Sequence, residues 1–293
     1  MSLATMANNI LRYVPGLNPD LVKSIIQTSY LQLATRDWNK LKLTRSFNTV
    51  APYSTGTVTV DTAGTVTGVG TVFTTAMVGR KIRFNDYLDS YFEIATYASG
   101  TSITLTDWIG AAITTADTFS IFQNIYSVNT LFGLVYDVIY QVPLSKKSQS
   151  YFDKLDPSRT STGSSPVYWA YAGVTTVGVI QIEIYPVLTV VVSMRVAGKM
   201  KTATLGDSDS PYLPENLVES HALLDCYRMK DLQQPKEGWG ARLATQLAIF
   251  QQLYSAFEDE DYQLDSHPDR VKDKMGVVPY PVDDNFWVSH DVE

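Results

Sequence analysis

Cysteine is almost missing from this 293-residue chain: Cys226 stands alone. A single thiol excludes an internal disulfide framework and a Cys-rich zinc site, and it fits folding in a reducing cytoplasm. Histidine is nearly as scarce, with His221, His267 and His290 the only three. Long apolar runs are absent as well. The most apolar stretch, 187–196, is broken by Ser193 and Arg195 and is too short to span a bilayer, so no membrane partner is expected. The start, MSLATMANNILRYV, has no basic region followed by an apolar run, so a signal peptide is not expected. Basic clusters of the kind that grip duplex nucleic acid are lacking too. The 23 basic and 30 acidic residues leave a net charge of −7. From 258 to 293 alone, eleven acidic residues face three basic ones, so the rest of the chain is nearly neutral. That acidic end reads as a solvated or partner-docking tail.

What is present begins with a helix whose start is written into the sequence. Asn18 is a capping residue, Pro19 suits the first helical position, and Asp20 places negative charge at the positive end of the dipole. Val22, Ile25, Ile26, Ser29, Tyr30 and Leu33 then recur at helical spacing, which predicts a helix over 19–38. One apolar face needs partners, and the best lie some 200 residues later. Pro214 and Glu215 open a helix to about 232. Beyond Pro235 and Gly238, Trp239, Leu243, Leu247, Phe250, Tyr254 and Phe257 repeat at intervals of 4, 4, 3, 4 and 3. These residues are expected to pack helix on helix, within the chain or between neighbouring copies. A short helix in 1–16 precedes them.

The middle is β in character. Sixteen threonines and only nine charged residues occupy 54–118, and candidate strands fall at 56–60, 80–84, 91–97, 102–106 and 118–125. Their number and spacing suggest a small barrel or sandwich. A second β-rich region follows, with strands at 134–141, 167–171, 177–185 and 189–199, a short helix at 148–155 and a polar loop at 159–165. The continuous apolar run Val190, Val191, Val192 suggests a strand covered on both faces. The fold class expected is therefore α+β, with a helical bundle made by the two chain ends. The divisions expected are a helical segment 1–50, a Thr/Gly-rich β module 51–126, a second β region 127–205, C-terminal helices 206–264 and an extended arm 265–293. That arm lacks helical periodicity yet carries Val277, Val278, Tyr280, Phe286 and Trp287, anchors suited to docking.

No constellation argues for catalysis, a cofactor or a metal. Gly64 to Gly70 lacks a phosphate-loop pattern and reads as turns and bulges. His221 and Asp225 suit a hydrogen bond on a helix surface, and Cys226 a small buried side chain. Glu93 and Glu183, the glutamates of the predicted strands, read as outward-facing. A capsule depolymerase would need such acids to meet in a cleft. The run Glu258 to Asp261 lies at a helix end that disfavours negative charge and reads as solvated. Arg80, Lys81 and Arg83 are candidates for contacts to a phosphate backbone or a neighbouring subunit. Tyr87, Tyr91, Phe92 and Tyr97 read as core plus subunit interface.

The order of the pieces resembles the head–tail adaptor (connector) proteins of tailed bacteriophages. The likeness is carried by TRDW followed by TVAPYSTGTVTV, by GTVTGVGTVFTTAMVGRKIRF with YFEIATYASGTSITLTDW and TFSIFQNIY, and by KLDPSRTSTGSSPVYWAY with IQIEIYPVLTVVVSMRVAGK and DSPYLPENLVESHALLDC. Together these cover most of residues 10–230. The resemblance implies a virion structural protein at the neck, assembled in the host cytoplasm. It implies a ring, usually of twelve copies, beneath the portal protein. The C-terminal arm would dock on the portal, the β region would meet a tail or neck protein, and viral DNA would pass through without sequence recognition. A glycan- or receptor-binding phage tail protein using the Tyr-rich β region is the alternative.

Overall fold

The computed structural model describes residues 1–106, 108–235 and 237–263. The chain opens with helix α1 (Leu3–Tyr13) and helix α2 (Pro19–Ala34). Asn18 caps α2, its side-chain oxygen accepting from the Asp20 N–H at 2.8 Å. The helix stops at Ala34 rather than at the expected Trp38, because Trp38 turns inward and its Nε1–H donates to the Leu33 carbonyl at 2.7 Å. A single 3₁₀ turn (Asn39–Leu41) leads into strand β1 (Lys42–Asn48).

Seven strands follow: β2 (Thr57–Val60), β3 (Thr65–Val69), β4 (Lys81–Phe84), β5 (Phe92–Ser99), β6 (Ser102–Thr106), β7 (Ile113–Asp117) and β8 (Phe119–Phe122). They form one antiparallel sheet in the order β7-β2-β3-β6-β5-β4-β8. Its two edge strands, β7 and β8, are consecutive in the chain with only Thr118 between them. One residue cannot cross the width of a flat sheet, so the edges come together and the sheet curls into a half-barrel. Val58, Val66, Phe73, Ile82, Phe84, Ile94, Ile103 and Ile121 fill it.

Two expectations change here. The stretch from Gly64 to Gly70 is not all turn: it holds β3, which pairs with β2 from Thr57 opposite Val69 to Val60 opposite Val66. Glycine is required at 68 because a Cβ there would strike the Thr71 side chain. Gly64 and Gly70, at φ +79° and +70°, make the turns on either side. Strand β7, whose ITTAD has polar residues exposed on both faces, carries too weak an alternation to be read from sequence.

The second β region contains β9 (Ile125–Ser127), β10 (Phe132–Tyr140), the two-residue strands β11 (Val142–Pro143), β12 (Ser145–Lys146) and β13 (Thr162–Gly163), then β14 (Tyr168–Val174), β15 (Ile180–Tyr185), β16 (Val187–Leu188) and β17 (Ser193–Met200). Helix α3 (Gln149–Leu155) sits among them. β17 is central to one sheet, with β1 on one side and β10 on the other. β12, β14, β15 and β9 form a second sheet, and the two sheets share a core around Trp169, Ile182, Val138, Phe132 and Met194. Val190 and Val191 are a correction: they lie in the bend between β16 and β17 and are exposed, and only Val192 is buried.

The last described helices return to the first. Helix α4 (Glu215–Gln233) and helix α5 (Trp239–Gln263) join α1 and α2 in one apolar cluster. Residues around the whole circumference of α4 are buried, from Leu217 and Val218 through Ala222 and Leu223 to Cys226 and Tyr227. It is the central helix and packs against both α2 and α5. The fold is α+β, with a bundle built from both chain ends and β regions between.

Candidate functional site

The densest polar chemistry lies where the half-barrel meets the second β region. Its centre is Arg159, only 3% exposed, at the start of the polar loop after α3. Asp156 organises that loop. Its carboxylate accepts from the Thr160 and Ser161 N–H groups at 2.9 and 2.8 Å and from the Thr160 hydroxyl at 3.1 Å. This turn holds Arg159 at φ 51°. The guanidinium donates from Nε to Glu183 Oε1, from Nη1 to the Asp156 carbonyl and from Nη2 to Asp153 Oδ1, each at 2.6 Å. Glu183, 1% exposed on β15, also accepts from Asn124 Nδ2 at 2.7 Å and Gln149 Nε2 at 3.2 Å. The expectation that Glu183 faces outward is corrected: β15 is buried on both faces, and Arg159 makes an inward carboxylate tolerable.

Burial alone would raise the Asp156 carboxyl, but the hydrogen bonds from Ser161 and Thr160 outweigh it and hold its pKa below the ordinary 3.8. A depressed folded-state pKa means that the unfolded chain takes up the proton first as pH falls. The stabilisation is therefore complete above the ordinary carboxylate range and is lost as pH drops through the folded value. Asp156→Asn is expected to cost about 1–3 kcal/mol at neutral pH and to flatten the acid limb of the stability profile. Urea midpoints measured across that acid range check both effects.

The three basic candidates are spent differently. Arg83 Nη2 donates to the Ser158 and Arg159 carbonyls at 2.7 and 2.5 Å, so it clamps the half-barrel to the loop within one chain. Lys81 pairs with Glu93 at 2.6 Å and lies 5.6 Å from the centre of the Tyr91 ring. Glu93 thus has Lys81 as its cation, while Glu183 shares Arg159 with Asp153. Arg80 alone of the three has no side-chain hydrogen bond or ion pair among the described residues, and its Nε is buried without an acceptor. It lines a cleft of about 410 Å³ between the two β regions, shared with Lys81, Glu93, Gln123, Asn124 and Gln181.

In the bundle, Val22, Ile26, Tyr30, Leu33, Trp239 and Phe250 are buried in the shared core, with Leu243, Leu247 and Tyr254 packed against it. They serve helix packing inside the chain, and the buried ones have no surface left for a neighbouring copy. Two further expectations are corrected. His221 is buried, 5.1 Å from the Phe250 ring, not at a helix surface; burial pulls its pKa down and Asp225 opposes this. Asp261 is not solvated. It is 5% exposed, and its carboxylate accepts from the Asn39 and Lys40 N–H groups at 2.7 and 2.9 Å. Glu260 pairs with Lys40 and Glu258 with Arg36. The acidic end of α5 thus docks on the turn after α2, where free N–H groups and basic side chains await it.

Cys226 is buried, and burial pushes its thiol up to about 12, so it stays protonated. Phe92 is core, with Tyr87 and Tyr97 packed against it, and Tyr91 meets Phe122 at 6.1 Å. Val277, Val278, Tyr280, Phe286 and Trp287 lie outside the described residues. Among the described residues no three His, Cys, Asp or Glu side chains are grouped to hold a metal ion, and no helix is long and apolar enough to cross a membrane. A scan against protein-family models finds no match for the chain, and a search of curated proteins finds none.

Proposed function

We propose that this protein is a structural ring subunit, and specifically a head–tail adaptor of a tailed bacteriophage. In this reading it sits at the virion neck between the portal protein and a tail or neck protein, and viral DNA passes through the ring unread. The segment 265–293 is its portal-docking arm, anchored by Phe286 and Trp287. The resemblance of the ordered sequence pieces points to that family.

The observation that carries the ring reading is the outer face of α5. From 243 to 257 the helix has no acidic or basic residue, yet Ala244, Thr245, Ala248, Ile249, Gln252, Ser255 and Ala256 are exposed. A helix facing only water carries charge on its outer side. The same holds for α2, which has no charge from 24 to 35 and exposes Thr28, Leu31 and Gln32. Both helices pack on the central α4. Two different uncharged faces on one bundle suit a head-to-tail contact, which closes into a ring when the rotation permits.

The test is native mass spectrometry of the full chain, alone and with the portal ring of its virus. A stoichiometric ring on the portal is expected. Ala248→Glu places a charge on the exposed α5 face at a helix-propensity cost of about 0.5 kcal/mol or less. It is expected to leave the circular dichroism unchanged and abolish assembly. A wild-type chain that stays monomeric with and without portal would overturn the reading.

A further inference from the structure

The cleft between the β regions has an unbalanced set of hydrogen-bonding groups, and the imbalance specifies a ligand. Gln123 spends an amide N–H on the Ile125 carbonyl at 3.0 Å. Asn124 spends its amide on Glu183 at 2.7 Å. Glu183 is a carboxylate paired with Arg159, so it only accepts, and the Asn124 amide cannot be turned round. Asn124 Oδ1 is left buried with no donor, in a side chain 4% exposed. Glu93 gives one oxygen to Lys81 and keeps the other. The cleft therefore holds spare acceptors on Gln123 and Glu93, beside one cation, Arg80, with no ion pair among the described residues. Gln181 on the opposite sheet offers both a donor and an acceptor.

We propose that this cleft binds an acidic saccharide unit, a ring bearing one carboxylate and several hydroxyls. Arg80 takes the carboxylate, and the hydroxyls donate to the amide and carboxylate oxygens that lack donors. Inorganic phosphate fits less well, since it brings acceptors to acceptors. A neutral sugar leaves Arg80 uncompensated. The partial burial that lowers the Arg80 pKa also strengthens its pull on an anion. The volume lies within the range of small-ligand pockets, about 300–1,000 Å³. The site uses none of the faces assigned to ring assembly, so it stands independently of that reading.

The experiment is titration of the full chain with D-glucuronate, D-glucose and inorganic phosphate, followed by saturation-transfer NMR. Saturable binding of glucuronate is expected, with glucose and phosphate at least about tenfold weaker. Arg80→Gln is expected to weaken glucuronate about tenfold or more, the effect of losing a charged hydrogen-bond donor. Gln181→Ala, on the other wall, is expected to weaken it severalfold with unchanged circular dichroism. Absence of saturable glucuronate binding overturns the proposal, and so does phosphate binding as tightly as glucuronate. Should Arg80→Gln fail to fold, Gln181→Ala decides, and unchanged affinity in that variant overturns it.

Discussion

Glu183→Ala is expected to destabilise the second β region by about 3–5 kcal/mol, the cost of leaving a buried charge without its partner. Arg159 would keep Asp153, but that carboxylate is 62% exposed and its attraction is screened by water. Asn124 and Gln149 would also lose the acceptor they share. The loss should appear in urea unfolding as a lower midpoint with an unchanged slope, read from tryptophan fluorescence, to which Trp169, buried in the core of the second β region, contributes. Removing both ends of the pair, with Arg159→Met added to Glu183→Leu, should restore part of the loss, because two apolar groups no longer need each other. Recovery stays incomplete, since Asp153 loses its cation and Asn124 and Gln149 lose their acceptor. A midpoint within about 1 kcal/mol of wild type for Glu183→Ala alone would show that the pair contributes no more than a surface bridge.

The network also marks how far sequence reasoning reaches. The start of α2, the stripe on α5, the short helix expected at 148–155 and found at Gln149–Leu155, and the strand 102–106 were legible because each is fixed by neighbours within a few residues. Glu183 read as outward because strand alternation describes a one-sided sheet, while β15 is buried on both faces and its cation comes from 24 residues earlier. Asp261 read as solvated because the dipole argument sees only its own helix. The N–H groups that bind it lie 222 and 221 residues away. Strand β3 was hidden by Gly68 within it and Gly64 and Gly70 beside it, and Gly68 is there to clear the Thr71 side chain rather than to turn the chain. The basic cluster was visible as composition, but its division into a clamp, a paired lysine and a guanidinium without a countercharge is decided by partners distant in sequence, Glu93 on the neighbouring strand and the carbonyls of Ser158 and Arg159 in the second β region. Local order carried the elements, and long-range pairing carried the candidate site.

Trp38→Ala is expected to cost the helical bundle about 3–5 kcal/mol, the range for deleting a buried indole. Trp38 is 4% exposed, and its ring lies 4.7 Å from Phe257 and 5.6 Å from Tyr254. It therefore joins the end of α2 to the last turns of α5, and its N–H satisfies a terminal carbonyl of α2. The loss also frees the turn at Asn39 and Lys40 that the Asp261 carboxylate holds. Lys40→Ala is the internal comparison: its bridge to Glu260 is exposed at the carboxylate and should be worth no more than about 1 kcal/mol. Far-UV circular dichroism during urea titration reads both. Trp38 lies in the apolar cluster of the bundle and Glu183 on β15 of the second β region, with no shared partner, so their effects should add when combined. Addition within one transition would mean that bundle and β region unfold as one cooperative unit, and two transitions each moved by only one of the substitutions would mean that they unfold separately. Trp38→Ala also separates stability from assembly. It acts through the bundle core, so it should lose ring formation only together with helix content. Ala248→Glu acts on the exposed face and should lose the ring with helix content intact. Loss of both properties in both variants would mean that the α5 outer face supports the fold of the single chain, and the uncharged stripe would then no longer argue for a neighbouring copy.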